Sequence, residues 1–360
     1  MAFRRPKPAA QTDGAVAANL REALHRVLAG DLAGAELVLA RAARLDSSSI
    51  DLYMALANVY RARGEVGRAI HIHQNLLLRR ELEADLRRES LLGLALDFRA
   101  GGFLKRAAAS FRELLEHDPN HLDALVELER IHVETGDWDE AIQTRRRIGA
   151  RDPDTDRVRA HLFVGLGRAH AQGGRASEAQ KAFRRAIACD KQCAEALIAF
   201  GDLRMQEEKP AKAVGLWRRA LPLHPRIGVI LYPKLWVAHE REGELPALRD
   251  LLATRRDEDP ADEEATLWWA RTSLRLGDTE NALASLRLLL DRQPDYFPAY
   301  AELGRALLGA GREAESAKAF EELLAHLPPA PRKLRCKSCG TADNKLHWRC
   351  PQCGEWDSFV

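Results

Sequence analysis

GEVGRAIHIHQNLLL, residues 64–78, sets the pattern for most of the chain. A turn opening on glycine is followed five residues later by alanine, then by large apolar residues at helical spacing. The arrangement restarts at Gly30, Gly64, Gly102, Gly136, Gly174, Glu208, Gly243, Gly277 and Gly311, at intervals of 34, 38, 34, 38, 34, 35, 34 and 34 residues. A period near 34 marks helix–turn–helix units stacked in a solenoid.

The columns around that turn have steric causes. Five residues after it stand Ala35, Ala69, Ala107, Ala141, Ala179, Ala213 and Ala282, with Leu248 and Ser316 as exceptions. A small side chain there lets two helices approach closely. Eight residues before it stand large partners such as Leu56, Leu94, Leu128, Phe200 and Trp269, usually followed by Ala or Gly. Seventeen residues after it, Pro119, Pro153, Pro225, Pro260, Pro294 and Pro328 end the second helix of a unit. The two 38-residue intervals place extra residues near 81–88 and 152–158, charged stretches that can lengthen a loop or a helix end. The spacing therefore predicts an all-α repeat body over 15–328, after a flexible basic tail at 1–14.

Composition agrees with a helix-rich chain. In 360 residues, hydrophobic content is 46% and charged content 30%, while aromatics reach only 6% and the net charge is +2. Disorder is disfavoured by that balance, and a nucleic-acid partner is not called for by charge alone. No stretch has the roughly 20 apolar residues that cross a bilayer. The start, MAFRRPKPAAQTDG, lacks the apolar segment of a secretory signal. Together with the cysteine usage, this predicts a cytoplasmic protein.

After Pro328 the period stops. A short connector at 329–335 leads into CKSCGTADNKLHWRCPQCGEWDSFV, residues 336–360. Cys336, Cys339, Cys350 and Cys353 form two CxxC knuckles, each followed by glycine. Two residues between thiolates let one tight turn present both sulfurs to one ion, and two knuckles complete a closed tetrahedral shell. A closed shell has no position for water or substrate, so the predicted metal is structural; zinc is favoured, with iron open to the same thiolates. His347 stands near the second pair, but four cysteines already complete the shell. Trp348, Trp356 and Phe359 are expected to pack over the knuckles or against the last repeats. The rival reading takes them, with the ribbon's excess of basic residues, as a nucleic-acid face.

Six residues before each turn lie Asn58, Leu96, Arg130, Arg168, Asp202, Val237, Arg271 and Arg305. If that position faces a groove, the candidate partner-binding residues are Arg130, Arg168, Arg271 and Arg305, which suit a ligand with carboxylates. The alternative is that they pair with neighbouring Glu and Asp. A second series, Arg146, Arg147, Arg184, Arg185, Arg218 and Arg219, reads as a solubilising outer face. Cys189 and Cys193 read as free thiols, and His71 and His73, two apart, point to different sides of a helix. There is no phosphate loop, dinucleotide fingerprint, GxSxG or HExxH, so no catalytic residue is nominated.

The repeat columns resemble the tetratricopeptide repeat, in about nine copies. A run of such repeats closed by a rubredoxin-like zinc ribbon resembles the lipopolysaccharide assembly protein B family. NVYRARGEVGRAIHIHQNLL, residues 58–77, and the C-terminal CPQCGEW carry that resemblance best. The ribbon alone is also similar to the zinc motif of the DNA-repair protein RadA, whose phosphate loop is not found here. The resemblance implies a right-handed superhelix whose first helices line a concave groove for a protein client. It also implies a role restraining lipopolysaccharide synthesis, by helping an FtsH-type membrane protease degrade an LpxC-type deacetylase. Family members begin with a transmembrane helix where this chain begins with a basic tail, so membrane contact is expected only through a partner. No small-molecule substrate is implied.

Overall fold

The computed structural model describes residues 9–224, 226–326 and 333–360, and the chain divides into two compact units meeting at Thr155 and Asp156. The first unit stacks four antiparallel helix pairs. These are α1 (Ala9–Leu28) with α2 (Leu32–Leu45), α3 (Ile50–Ala62) with α4 (Val66–Leu77), α5 (Ala84–Ala100) with α6 (Leu104–His117), and α7 (Leu122–Thr135) with α8 (Trp138–Ile148). The second unit holds α9 (Thr155–Gln172) with α10 (Ala176–Cys189), α11 (Ala194–Gln206) with α12 (Pro210–Ala220), and α13 (Gly228–Glu242) with α14 (Leu245–Glu258). It continues with α15 (Glu263–Arg275) and α16 (Thr279–Arg292), then α17 (Phe297–Gly309) and α18 (Glu313–His326). A ribbon follows, with β1 (Leu334–Arg335) antiparallel to β2 (Ala342–Asp343).

The tail expected at 1–14 differs in part. Residues 1–8 lie outside the described residues, but α1 already starts at Ala9. Pro225, Pro328 and the connector up to residue 332 also lie outside them.

Every one of the nine turn residues takes the left-handed backbone, from Glu208 at φ 58° to Gly277 at 86°. The turn geometry is thus imposed by the stack, and Glu208 adopts it without glycine's freedom. A non-glycine residue there costs about 1–2 kcal/mol. Glu208 is exposed, so Glu208→Gly is expected to raise stability by about 1 kcal/mol after glycine's own entropy cost. Thermal unfolding of the variant beside the parent checks this; a lower midpoint would show that Glu208 does something the turn needs.

The helix contacts follow the columns. All seven alanines five residues after the turn are fully buried, as is Leu248. At Ser316 the hydroxyl donates to the Gly304 carbonyl at 2.7 Å, so the polar exception is satisfied within the hairpin. At Gly201 a Cβ would lie 2.2 Å from the Trp217 indole, which is 1% exposed and fills the heart of the second unit. Glycine is required there because the second helix brings a tryptophan against the first.

The two longer intervals have a common outcome. The added residues extend first helices, so that α5 has 17 residues and α9 has 18, against 13 in α3, α11, α15 and α17. His73 is buried, with Nδ1 2.6 Å from the Asp97 carboxylate, while His71 faces Asn75; the two rings do point apart. Arg146, Arg147, Arg184, Arg185, Arg218 and Arg219 are exposed.

Candidate functional site

The ribbon is built on two matching knuckles. The Gly340 N–H donates to the Cys336 carbonyl at 2.8 Å, and the Gly354 N–H donates to the Cys350 carbonyl at 2.9 Å. Both glycines sit at φ 75°, which closes the turn and aims both cysteines of a pair inward. The four sulfurs lie within 4.8 Å of one another. Across the knuckles, Cys336 and Cys353 are 3.7 Å apart and Cys339 and Cys350 are 3.6 Å apart. A tetrahedral shell with metal–sulfur bonds of about 2.3 Å sets sulfurs about 3.8 Å apart, so the donor set fits one ion.

Neighbouring groups prepare the thiols. The Ser358 hydroxyl, 3.2 Å from Cys336 Sγ, is the main cause that draws this thiol down to about 6. The Thr341 hydroxyl, 3.1 Å from Cys339 Sγ, lowers the second. At Cys353 the Glu355 N–H favours the thiolate, but burial and the adjoining sulfurs win and push the thiol up to about 12. Four thiolates in this volume need a cation among them, which is the chemistry of a structural metal site. His347 is engaged elsewhere: its Nε2 lies 2.8 Å from Asp343 and its ring edge meets Phe359. Phe359, 1% exposed, forms the ribbon's small core with Cys336, Cys350, Leu334 and Leu346.

Trp356 does not pack on the last repeats. Trp356 stacks on His161 of α9, with centroids 4.7 Å apart and planes 16° from parallel. Trp348 packs against the apolar core of α11–α15. The ribbon therefore docks on the earlier hairpins of the second unit, because that is where its acidic edge finds cations. Asp357, held at φ 50°, places its carboxylate 2.7 Å from His161 Nε2. On the other side of the ring, His161 Nδ1 lies 2.6 Å from Glu195 of α11, and Arg168 Nη1 reaches the same glutamate at 2.5 Å. Arg157 Nη1 lies 3.5 Å from Asp357 and donates to the Trp356 carbonyl at 3.3 Å, and its Nη2 is 3.6 Å from Glu355.

His161 is 2% exposed. Burial opposes its charge, yet the Asp357 and Glu195 carboxylates outweigh burial and raise the imidazole to about 9. Burial likewise works against the Asp357 anion, but His161 and Arg157 keep its carboxyl below the usual range. At neutral pH the ring is an imidazolium donating from both nitrogens. Cys193, which begins α11 beside this cluster, is buried and its thiol is pushed well up by desolvation.

Sequence reasoning missed His161, Glu195, Arg157 and Asp357. Arg157 lies in the residues that lengthen α9, which spacing alone presents as filler. The four arginines expected to face a groove all stand beside glutamates. Arg130 is 2.7 Å from Glu127, which also pairs with Arg99; Arg168 is committed to Glu195; Arg271 and Arg305 share Glu302 at 2.8 and 3.1 Å.

Hairpins of this kind closed by a four-cysteine ribbon define a tetratricopeptide-repeat protein with a rubredoxin-like metal-binding end. Residues 335–360 match the model described as the rubredoxin metal binding domain, and residues 52–87, 100–162, 164–226 and 267–331 match tetratricopeptide repeat models. The chain is similar to lipopolysaccharide assembly protein B of Escherichia coli strain K12, 27% identical over 324 residues, covering 87% of this chain and 81% of the relative. It is likewise similar to the protein of that name from Haemophilus influenzae, 25% identical over 316 residues, covering 87% of this chain and 79% of the relative. Among solved structures, a tetratricopeptide repeat protein from Parabacteroides merdae is 14% identical with a TM-score of 0.39, covering 82% of this chain and 99% of that one. No helix among the described residues is long and apolar enough to cross a membrane.

Proposed function

We propose that this protein is a non-enzymatic adaptor in lipopolysaccharide biosynthesis, which binds a protein client on its repeats and carries one structural zinc in its ribbon. The observation behind the reading is the pairing of repeats and ribbon along 87% of the chain in common with relatives named for lipopolysaccharide assembly. Stacked hairpins offer an extended surface suited to a polypeptide rather than an enclosed cleft for a small substrate. The four sulfurs would hold the zinc; when bound, it crosslinks the two knuckles and offers no open position for a reaction. In the finer reading, the client is an LpxC-type deacetylase presented to an FtsH-type membrane protease. The adaptor works in the cytoplasm and meets the inner membrane through that partner.

Arg130 in the first unit and Arg168, Arg271 and Arg305 in the second are the proposed contacts for the client's carboxylates. Arg130 and Arg305 sit in ion pairs that an incoming acidic group can replace, while Arg168 and Arg271 are held on Glu195 and Glu302 and offer their remaining donors. Nucleic acid is a weaker reading. Trp356 lies on His161 and Trp348 on the helical core, which engages the two rings a base would stack on.

Depleting the protein while following deacetylase abundance tests the finer reading. The deacetylase is expected to accumulate several-fold and to return to its level on re-expression. A steady level would leave a repeat scaffold with another client.

A further inference from the structure

The first helices α13, α15 and α17 of three successive hairpins form a shallow, open pocket of about 490 Å³ lined by Trp236, Trp268, Arg271, Leu274, Arg275, Glu302 and Arg305. Its aromatic side is a tilted pair, Trp236 and Trp268, with centroids 6.4 Å apart. Arg271 lies over the Trp268 ring at 4.6 Å and donates to Glu302 at 2.8 Å, so its guanidinium is fixed between a π face and a carboxylate. Arg275 and Arg305 are different. Their side chains are 63% and 62% exposed, and each holds its glutamate through one contact, at 3.3 Å to Glu240 and 3.1 Å to Glu302. Exposed pairs of this kind contribute little, so a stronger carboxylate partner displaces them readily. Three arginines line the pocket against Glu302, with Glu240 paired to Arg275 at its edge, leaving an excess of one positive charge beside two indole rings.

This combination is absent around the other groove arginines. No ring lies over Arg130 or Arg168 among the described residues, and Arg168 is tied into the His161 cluster. We infer that the α13–α15–α17 pocket is where the protein takes an acidic peptide segment, an apolar side chain against Trp236 and Trp268 and a neighbouring carboxylate on Arg275 and Arg305. The inference rests on the adaptor reading only in taking the partner to be a protein. Recognition of this type combines a desolvated aromatic anchor with charge-assisted bonds whose planar fork matches a carboxylate.

Fluorescein-labelled ten-residue peptides test it with the full chain: one alternating Asp and Leu, one alternating Lys and Leu, one alternating Asp and Ser. Anisotropy is expected to show binding of the Asp–Leu peptide, weakened by salt, and binding of the other two at least about tenfold weaker. Arg275→Gln/Arg305→Gln, both on exposed side chains, is expected to weaken the Asp–Leu peptide by about tenfold to a hundredfold with an unchanged helical spectrum. Arg146→Gln, in the exposed outer series, is expected to change nothing. Equal binding by the double variant, or a Lys–Leu peptide bound as well as the Asp–Leu one, overturns the proposal. Peptide binding lost in the double variant while deacetylase abundance ignores depletion keeps the pocket and removes the lipopolysaccharide role. A deacetylase response that the double variant fully restores, without peptide binding by the parent, removes the pocket and keeps the role.

Discussion

Cys336→Ser/Cys339→Ser is expected to abolish bound metal and unfold the ribbon while the repeats stay helical. The ribbon's own buried side chains are few: Cys336, Cys350 and Phe359, with Leu334 and Leu346 packed beside them. Ordering a backbone costs roughly 1–2 kcal/mol per residue, far more than such a core returns over residues 333–360. Metal binding by four thiolates supplies about 10–16 kcal/mol in ribbons of this kind, so folding and loading are one event. Docking through Trp356 and Asp357 adds to that but depends on it: the Lys337 N–H donates to Ser358 at 2.7 Å and the Asp357 N–H to Trp348 at 2.7 Å, so the docking residues are strung between the knuckles. Metal analysis and limited trypsin digestion read the outcome. Cleavage is expected at Lys337, Lys345 and Arg349 in the variant, and in the parent after chelation, with the helical spectrum nearly unchanged. A metal-free ribbon as resistant as the loaded one would mean that docking alone holds it.

What the sequence made legible is whatever recurs. The turn residue, the small column and the large column repeat at a near-constant interval, and each has one steric meaning, so the pairing of helices could be read before any coordinates. The four cysteines were equally legible because a knuckle is local: its spacing is its geometry. The His161 cluster was not. His161 and Asp357 are 196 positions apart, and no periodicity links them. Read alone, His161 is one polar residue at the start of a helix, and Asp357 is one of several charges in a short tail. The arginines six residues before the turn illustrate a partial reading. Their common helix position was readable, but the neighbouring hairpin decides which are committed, as Glu195 does for Arg168 and Glu302 does for Arg271. Trp236 and Trp268 stand off the large column, so the pocket they help line emerges only when three hairpins are stacked.

Raising the pH through about 9 is expected to loosen the ribbon from α9. His161 has its pKa raised in the folded protein, from the usual 6.5 to about 9, so its contribution is fully present below 6.5 and is lost as the pH climbs through 9. The shift corresponds to about 3 kcal/mol, of which only the share from Asp357 holds the ribbon, since Glu195 faces the ring from α11. The groups facing the ring set the sign. Asp357 and Glu195 accept from its two nitrogens, Arg168 and Arg157 stand behind those carboxylates, and Cys193 and His224 lie nearby. Asp357 acts oppositely at the other extreme: its lowered carboxyl contributes above the usual carboxylate range and fails as the pH falls through its folded value. Docking should therefore be firmest from mildly acidic to neutral pH. Trypsin resistance of the metal-loaded chain, followed from pH 7 to 10, is expected to fall near 9 without loss of metal, since alkaline conditions keep thiolates deprotonated. His161→Gln retains two polar atoms but cannot become a cation, so its ribbon should be weakly docked at pH 7 and insensitive up to pH 10. Asp357→Asn should lose docking at pH 7 as well, because it leaves the buried imidazolium with one carboxylate. The cost stays below the about 3–5 kcal/mol of a fully buried pair, because the Asp357 side chain is 35% exposed. An alkaline transition in His161→Gln identical to the parent's would assign the effect to another group and sink the clamp.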